Sequence, residues 1–286
     1  LVLAGAIIAT ALVAVTALLG TLPNTPYQRL RIGVLPDQDR KVLEARYAPL
    51  VEYLSHNVGI PCELAIPSDY DELVDWFTSR KIQLAYFGGL TFVEAQARAD
   101  AVPLVSREID LEFRSYYLVR ADNTAATLAD LKGTRFAFGS RLSTSGHLMP
   151  RYFMQSGGLR PEQYFAQVIY SGAHDRTAYM VRDGQVDAGV ANANTIASMF
   201  KDGRLHDGDL RILGRTPPYA DYVWAVRPEM PERIRIGILN AFLLLSPDRP
   251  NEKAILDSLD ANAFLPALST DFVRLGQIAA ELSLAD

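Results

Sequence analysis

The sequence predicts an α/β protein of two lobes joined by two crossover strands, preceded by an N-terminal hydrophobic helix. Three observations predict it. Strand-like and helix-like segments alternate from Leu30 to Phe87, the repeat of an open α/β sheet. The alternation restarts at Leu128 and continues to Val190. Two aromatic, β-branched runs, Ser115–Arg120 and residues 221–227, bracket that second stretch, so the chain leaves the first lobe through one and returns through the other.

Residues 1–20 are apolar or small throughout, and Arg29 is the first charged residue. At about 1.5 Å per residue such a helix is long enough to cross a hydrocarbon core of ~30 Å. It reads either as the apolar part of a signal peptide or as an uncleaved membrane anchor. Pro23, Asn24 and Pro26 mark an extended linker, so residues 1–28 precede the folded part. Residues 30–35 then read as a strand, and 46–57 as a helix with Tyr47, Leu50, Val51 and Leu54 at helical spacing. Residues 62–66 form a second strand. Residues 69–80 form a helix with Leu73, Trp76 and Phe77 on one face, and 82–87 a third strand closed by Gly88-Gly89.

In the second stretch, residues 128–131 precede Gly133 and a strand ending at Phe138. A Ser/Thr turn and a helix to Gln155 follow, then 167–170, 174–182 and 186–190 as strand, helix and strand. The runs at 115–120 and 221–227 are expected to pair with each other. The predicted division is 29–120 with 221–286 as the first lobe and 121–220 as the second, residues 228–286 returning as helices. Two lobes with two crossings can hinge over a ligand.

With 49% hydrophobic and 21% charged residues, the chain has a globular composition, which excludes disorder and a disulfide scaffold. A net charge of −5, with no basic stripe interleaved with aromatics, argues against nucleic acid as a partner. Cys62 is the only cysteine, so an intrachain disulfide, a lipid-modified cysteine after the leader and a Cys/His metal site are not expected.

Two runs carry the chemistry. Ser143-Thr144-Ser145-Gly146 follows the strand Arg135–Phe138, and Ser171-Gly172-Ala173-His174-Asp175 follows Val168-Ile169-Tyr170. Each puts hydroxyls or a histidine at a helix start, where free N–H groups and the helix dipole favour an anion. Together they describe a pocket for a tetrahedral oxyanion, whose hydration is replaced by charge-assisted hydrogen bonds without a buried cation. Taken singly, Ser143 to Ser145 also read as a helix cap and turn, and His174 as a surface or capping residue. Pro150 falls more than one turn later and would kink a helix begun at the Ser/Thr run.

These runs, with Phe138-Gly139-Ser140, Pro150 and Gly184-Gln185-Val186-Asp187-Ala188, resemble the substrate-binding subunits of phosphate, phosphite and phosphonate ABC importers. Pro67-Ser68-Asp69-Tyr70, Tyr86-Phe87-Gly88-Gly89 and Thr216-Pro217-Pro218-Tyr219 before Asp221 match too, so the resemblance spans most of 30–230. The start Leu35-Pro36-Asp37-Gln38-Asp39 and the stretch 216–224 are similar to a subgroup described as selenate importers.

The resemblance implies a type II periplasmic-binding-protein fold, a tetrahedral oxyanion held in the interlobe cleft, no cofactor and delivery to an ABC permease. It implies a periplasmic or cell-surface location, with the inner membrane reached through residues 1–20 if these are retained. Ligand contacts fall on Tyr70, Ser143, Thr144, Ser145, Gly146, His174 and Asp221. Tyr70 also reads as a packing residue at a helix start. A second set comprises Phe87, Phe113, Tyr116 and Asn194. The family's second tyrosine falls at Phe113 or Tyr116, and Asn194 stands where aminophosphonate binders carry an acid, which disfavours an aminoalkyl substituent. Members of this fold family also serve as exported sensors that contact a membrane signalling kinase, so a sensor and a selenate importer are the alternatives.

Asp221 is unexpected in an anion site, because a carboxylate repels an anion unless a proton lies between them. A phosphomonoester has a second pKa of about 6, so a phosphate, phosphite or phosphonate monoanion can give its own O–H to Asp221. Sulfate and selenate have no such proton at neutral pH. The expected outcome is selection for protonated oxyanions. An enzyme would use Ser145, His174 and one of Asp175, Asp187 or Asp221 as a triad. The Gly-x-Ser-x-Gly elbow and metal-ligand spacings are missing, so no catalysis is expected. His56, His147, His206 and Asp187 read as structural, and Trp76, Phe77 and Trp224 as core residues.

Overall fold

The computed structural model describes residues 27–282. The apolar segment 1–20 and nearly all of the linker lie outside the described residues. Among the described residues, no helix is long and apolar enough to cross a membrane.

Strands β1 (Leu30–Val34), β2 (Cys62–Ala65) and β3 (Leu84–Phe87) run parallel and are connected by α1 (Arg40–Val58) and α2 (Tyr70–Thr78). Beyond Gly88 the chain continues into α3 (Gly89–Ala99) and β4 (Val102–Arg107). It then enters a second sheet through β5 (Ser115–Arg120), β6 (Arg135–Phe138), β7 (Gln167–Tyr170), β8 (Ala188–Asn192) and β9 (Leu210–Arg215). The helices here are α4 (Met149–Ser156), α5 (Pro161–Tyr164), α6 (His174–Arg182) and α7 (Ala193–Lys201). The chain returns through β10 (Val223–Val226), α8 (Glu232–Leu243), α9 (Pro250–Ser258), β11 (Phe264–Pro266) and α10 (Val273–Glu281). Strand orders are β11-β4-β10-β3-β1-β2 and β7-β6-β8-β5-β9. Residues 228–286 were expected as helices alone; within the described part, β11 adds a short edge strand beside β4.

The runs at 115–120 and 221–227 do not pair with each other. Ser115–Arg120 lies between β8 and β9 in the second sheet, and β10 lies between β3 and β4 in the first. Each is a buried strand antiparallel to its own sheet, which is why both read as apolar and β-branched. The two crossings are the segments before these strands, and they meet at one bridge, in which Phe113 and Tyr219 exchange backbone hydrogen bonds of 2.8 and 3.1 Å. Ser115–Arg120, expected in the first lobe, is therefore a strand of the second sheet.

Helix α1 starts six residues before the expected position 46, at Arg40. Asp39 caps it by accepting from the Lys41 N–H, and the polar first turn hides this start from an apolar pattern. Leu43, Tyr47, Leu50 and Leu54 are the face it buries against the first sheet. In the second sheet the pleat separates two cores: Leu118 and Ala137 face α6 and α7, while Tyr117, Val119, Phe136 and Phe138 face the other side.

The Ser/Thr run does not begin an ordinary α-helix. Leu148 N–H bonds Ser143 C=O and Met149 N–H bonds Thr144 C=O, a single π turn over Thr144–Leu148. Pro150 falls in the first turn of the separate helix α4, where its missing N–H leaves no gap, so the expected kink is replaced by a change of helix type.

Candidate functional site

Parallel strands end toward the side where α/β proteins bind ligands, beyond their carboxyl ends at a change in strand order. The loop after β1 carries Asp37 and that after β3 Gly88; Tyr70, Gly89 and His174 are the first residues of α2, α3 and α6, which follow β2, β3 and β7, and Ser143 to Ser145 follow β6. Asp221 and Tyr222 enter from the chain leading into antiparallel β10. All of the primary candidate side chains are buried: Tyr70, Ser145 and Asp221 are 1% exposed, Ser143 and Thr144 2%, His174 0%.

Two residues from opposite sides of the cleft meet the first amides of α3. Asp221 Oδ1 accepts from Gly89 N–H at 2.9 Å, and Thr144 Oγ1 accepts from Leu90 N–H at 2.9 Å. A Cβ on Gly89 would stand 2.4 Å from Leu275 Cδ1 and 3.4 Å from Thr144 Oγ1, so glycine permits this approach. Gly146 has a similar role. A Cβ there would lie 2.8 Å from Ser143 Oγ and 3.0 Å from His174 Cε1. Ser143 Oγ is committed to Gly146 N–H at 2.8 Å, and Ser145 C=O accepts from Ser115 Oγ at 2.6 Å. The Ser/Thr turn is thus both a helix-end cap and a wall of the cleft.

Three buried polar atoms in this cluster make no hydrogen bond of good geometry, Tyr70 Oη, Ser145 Oγ and Asp221 Oδ2, although the Ser143 hydroxyl lies near Tyr70 and the Ser145 hydroxyl near Asp221. Burial pushes the Asp221 carboxyl up to about 7, against the Gly89 N–H and the nearby Thr144 and Ser145 hydroxyls, which pull it down. Burial likewise pushes the Tyr70 phenol well above its ordinary range, with Asp37 and Asp221 adding to it, so it stays a donor. His174 is driven down to about 3 by burial and is neutral. Its Nδ1 accepts from Asn192 N–H at 3.3 Å, which puts the proton on Nε2, 3.4 Å from Tyr222 Oη.

Residues that the sequence reading missed complete the wall. Tyr222 Oη accepts from Asn192 Nδ2 at 2.9 Å and donates to Asp37 Oδ2 at 3.1 Å. Burial raises Asp37 to about 6, and its C=O accepts from His174 N–H at 2.9 Å. A cavity of about 10 Å³, room for a single water, adjoins this wall and is lined in part by Asp37, Tyr86, Asn192 and Asn194. Asp37 sits after β1 as Tyr70 sits after β2, a positional signal visible in the Leu35-Pro36-Asp37 run.

The second set scatters. Phe87 packs edge-on against Phe77 at 5.2 Å in the core. Phe113 packs on Tyr222 at 5.4 Å and forms the crossing bridge. Tyr116 points into the second core with Arg215 over its ring. Asn194 lines the small cavity and an outer groove shared with Phe113 and Tyr116. Of the residues read as structural, His147 is buried between Arg141 C=O at 2.7 Å and Arg151 Nε at 2.9 Å. Asp187 pairs with Arg135 at 2.8 Å.

Two sheets linked by two crossings, with a buried polar cluster where their strand ends face, define a solute-binding protein of the periplasmic-binding class. Residues 32–272 match the model of the periplasmic substrate-binding proteins of phosphonate ABC transporters, and the chain belongs to that family. It is 29% identical to the probable ABC transporter phosphite-binding protein PhnD1 of Prochlorococcus marinus, over 89% of this chain and 90% of that one. The structure of PhnD1 in complex with methylphosphonate superposes with a TM-score of 0.86 at 28% identity, covering 90% of this chain and 99% of that one. The phosphate-import protein PhnD of Mycolicibacterium smegmatis is 26% identical, over 73% of this chain and 70% of that protein.

Proposed function

We propose that this protein is the binding subunit of an ABC importer and captures a protonated tetrahedral phosphorus oxyanion, namely phosphate, phosphite or a small phosphonate, for delivery to a permease. The observation that carries this reading is the trio of unpartnered buried atoms, Tyr70 Oη, Ser145 Oγ and Asp221 Oδ2. Leaving such groups unsatisfied costs about 1–3 kcal/mol each, so the site is built for a ligand that satisfies them. Tyr70 and Ser145 donate to ligand oxygens, and the His174 Nε2–H turns to the ligand from Tyr222. Asp221 accepts the ligand's own O–H. The candidate set holds a carboxyl, Asp221, and no lysine or arginine, while Arg46 and Arg107 line the small cavity beside Asp37 and offset its charge, so selectivity at Asp221 rests on matching protons.

The six-stranded sheet forms one lobe and the five-stranded sheet the other, hinged at Phe113 and Tyr219. Residues 1–20 export the protein, as a signal peptide or as an inner-membrane anchor. Import is preferred to a sensor role because the relatives above are named as import or transporter-binding proteins. The test is calorimetric binding after removal of carried-over ligand by unfolding and refolding, against phosphate, phosphite, methylphosphonate, aminoethylphosphonate, sulfate and selenate. Above pH 7, where Asp221 is an ionised carboxylate, phosphorus oxyanions are expected to bind at least about tenfold tighter than sulfate and selenate, the cost of facing a carboxylate with an unprotonated oxygen. Selenate binding as tight as methylphosphonate would refute the role given to Asp221.

A further inference from the structure

At the rim of the anion site, three consecutive residues of the loop after β1 each bond to the opposite lobe, Asp37 at the site wall and Gln38 and Asp39 beyond it. Asp37 C=O accepts from His174 N–H at 2.9 Å, Gln38 Oε1 accepts from Arg204 Nη1 at 3.1 Å, and Asp39 N–H donates to Asp175 Oδ2 at 2.7 Å. The two helices involved face each other at their N-termini: Asp39 caps α1 through Lys41 N–H, and Asp175 stands in the first turn of α6, its Oδ1 taking Arg176 N–H at 2.7 Å. Asp175 is 4% exposed and Gln38 5%. Arg204 is aimed by the Asp202 carboxylate, 2.7 Å away. A loop that only had to connect a strand to a helix would need none of these bonds.

We infer that Asp175 and Arg204 are positioning residues that strap segment 36–39 across the cleft and set ligand affinity by stabilising closure, without touching the ligand. The inference rests on the hinged-lobe reading above. Because the strap forms only when the lobes are together, its Boltzmann factor multiplies the closing equilibrium constant, and where the anion enters the open cleft and closure follows, apparent affinity scales with that constant. Two signatures follow. The effect is the same factor for every ligand, and it falls on dissociation rather than association.

The experiment is stopped-flow and equilibrium binding of phosphate and of methylphosphonate to the full-length protein and to Asp175→Ala and Gln38→Ala. It is paired with spin-label distances between Lys41→Cys and Lys201→Cys in a Cys62→Ser background. Loss of a hydrogen bond to a charged acceptor predicts that Asp175→Ala weakens both ligands equally, by about 10- to 100-fold and through the dissociation rate. Gln38→Ala, which removes only the neutral acceptor, is expected to cost about 2- to 10-fold and serves if Asp175→Ala fails to fold. In both variants the short-distance population should shrink. Unchanged dissociation rates, a loss confined to one ligand, or an unchanged distance distribution would overturn the strap. If neither anion binds but the variants still open the cleft, the strap stands and the ligand assignment fails.

Discussion

At the scale of single residues, the proposed role of Asp221 is to select which anions the cleft accepts. Its Oδ1 is held by Gly89 N–H and its Oδ2 is left free, so one oxygen is fixed by the fold and the other is offered to the ligand. Replacement by asparagine keeps the first bond and turns the second atom into a donor. Asp221→Asn is therefore expected to weaken phosphate about tenfold or more while strengthening sulfate and selenate, measured by calorimetry. The same change has a pH signature. The folded carboxyl sits near 7 rather than its ordinary 3.8, so the protein favours the protonated form; that contribution is complete below about 4 and lost as pH rises through 7. In the unliganded protein, the melting temperature of Asp221→Asn should gain on the wild type between pH 5 and pH 8, with a ceiling of about 4 kcal/mol. Tyr70 separates binding from stability. Tyr70→Phe removes a buried hydroxyl that makes no hydrogen bond of good geometry in the protein, so the melting temperature should hold or rise while phosphate affinity falls about 10-fold. The candidates Ser143 to Ser145 and His174 could be put forward from hydroxyls and a histidine at strand-to-helix junctions, whereas Tyr70 and Asp221 were put forward by the family resemblance. Gly89 and Leu90 were not, since a backbone amide has no identity in a sequence.

At the scale of elements, the π turn over Thr144–Leu148 aims the Ser/Thr run. Its wider ring places Ser143, Thr144 and Ser145 at the cleft while α4 restarts with Pro150 in its first turn. Gly146 lets the His174 ring lie against this turn. Gly146→Ala must displace either Ser143 Oγ or His174, and overpacking of this kind costs about 1–3 kcal/mol. The expected result is a lower melting temperature together with weaker binding of every anion. A variant that melts lower yet binds normally would show that the turn can shift without moving the donors. Elements were harder to read where local signals conflict with sheet position. Strand β4 contains Pro103, which argues against a strand, yet it is paired with β10 and β11, with an irregular register beside the proline. Helix α3 begins at Gly88-Gly89, a pair that reads as a turn, and is held at that end by Asp221 and Thr144 from elsewhere in the chain.

At the scale of the whole molecule, the lobes touch through chemically different contacts. Leu148 and Met149 join the apolar core of the first sheet, whereas the Asp37–Asp39 side is polar. Ligand that bridges Tyr70 to Ser145 and Asp221 ties the lobes together, so phosphate should lower the radius of gyration in small-angle scattering. It should also raise the melting temperature by mass action, about 2.7 kcal/mol at a hundredfold excess over Kd. Equal scattering with and without saturating ligand would mean that no hinge closes. The sequence by itself determined the α/β class and two α/β repeats, and it put forward the hydroxyl and imidazole candidates, because periodicity and residue chemistry are local properties; Tyr70 and the carboxyl at Asp221 entered through the family resemblance. Only the tertiary structure decided that Ser115–Arg120 and β10 lie in different sheets, that Asp37, Asn192 and Tyr222 stand behind His174, and which polar atoms were left without partners. Those facts depend on which strand lies beside which, and residues far apart in the chain supply each half of every contact.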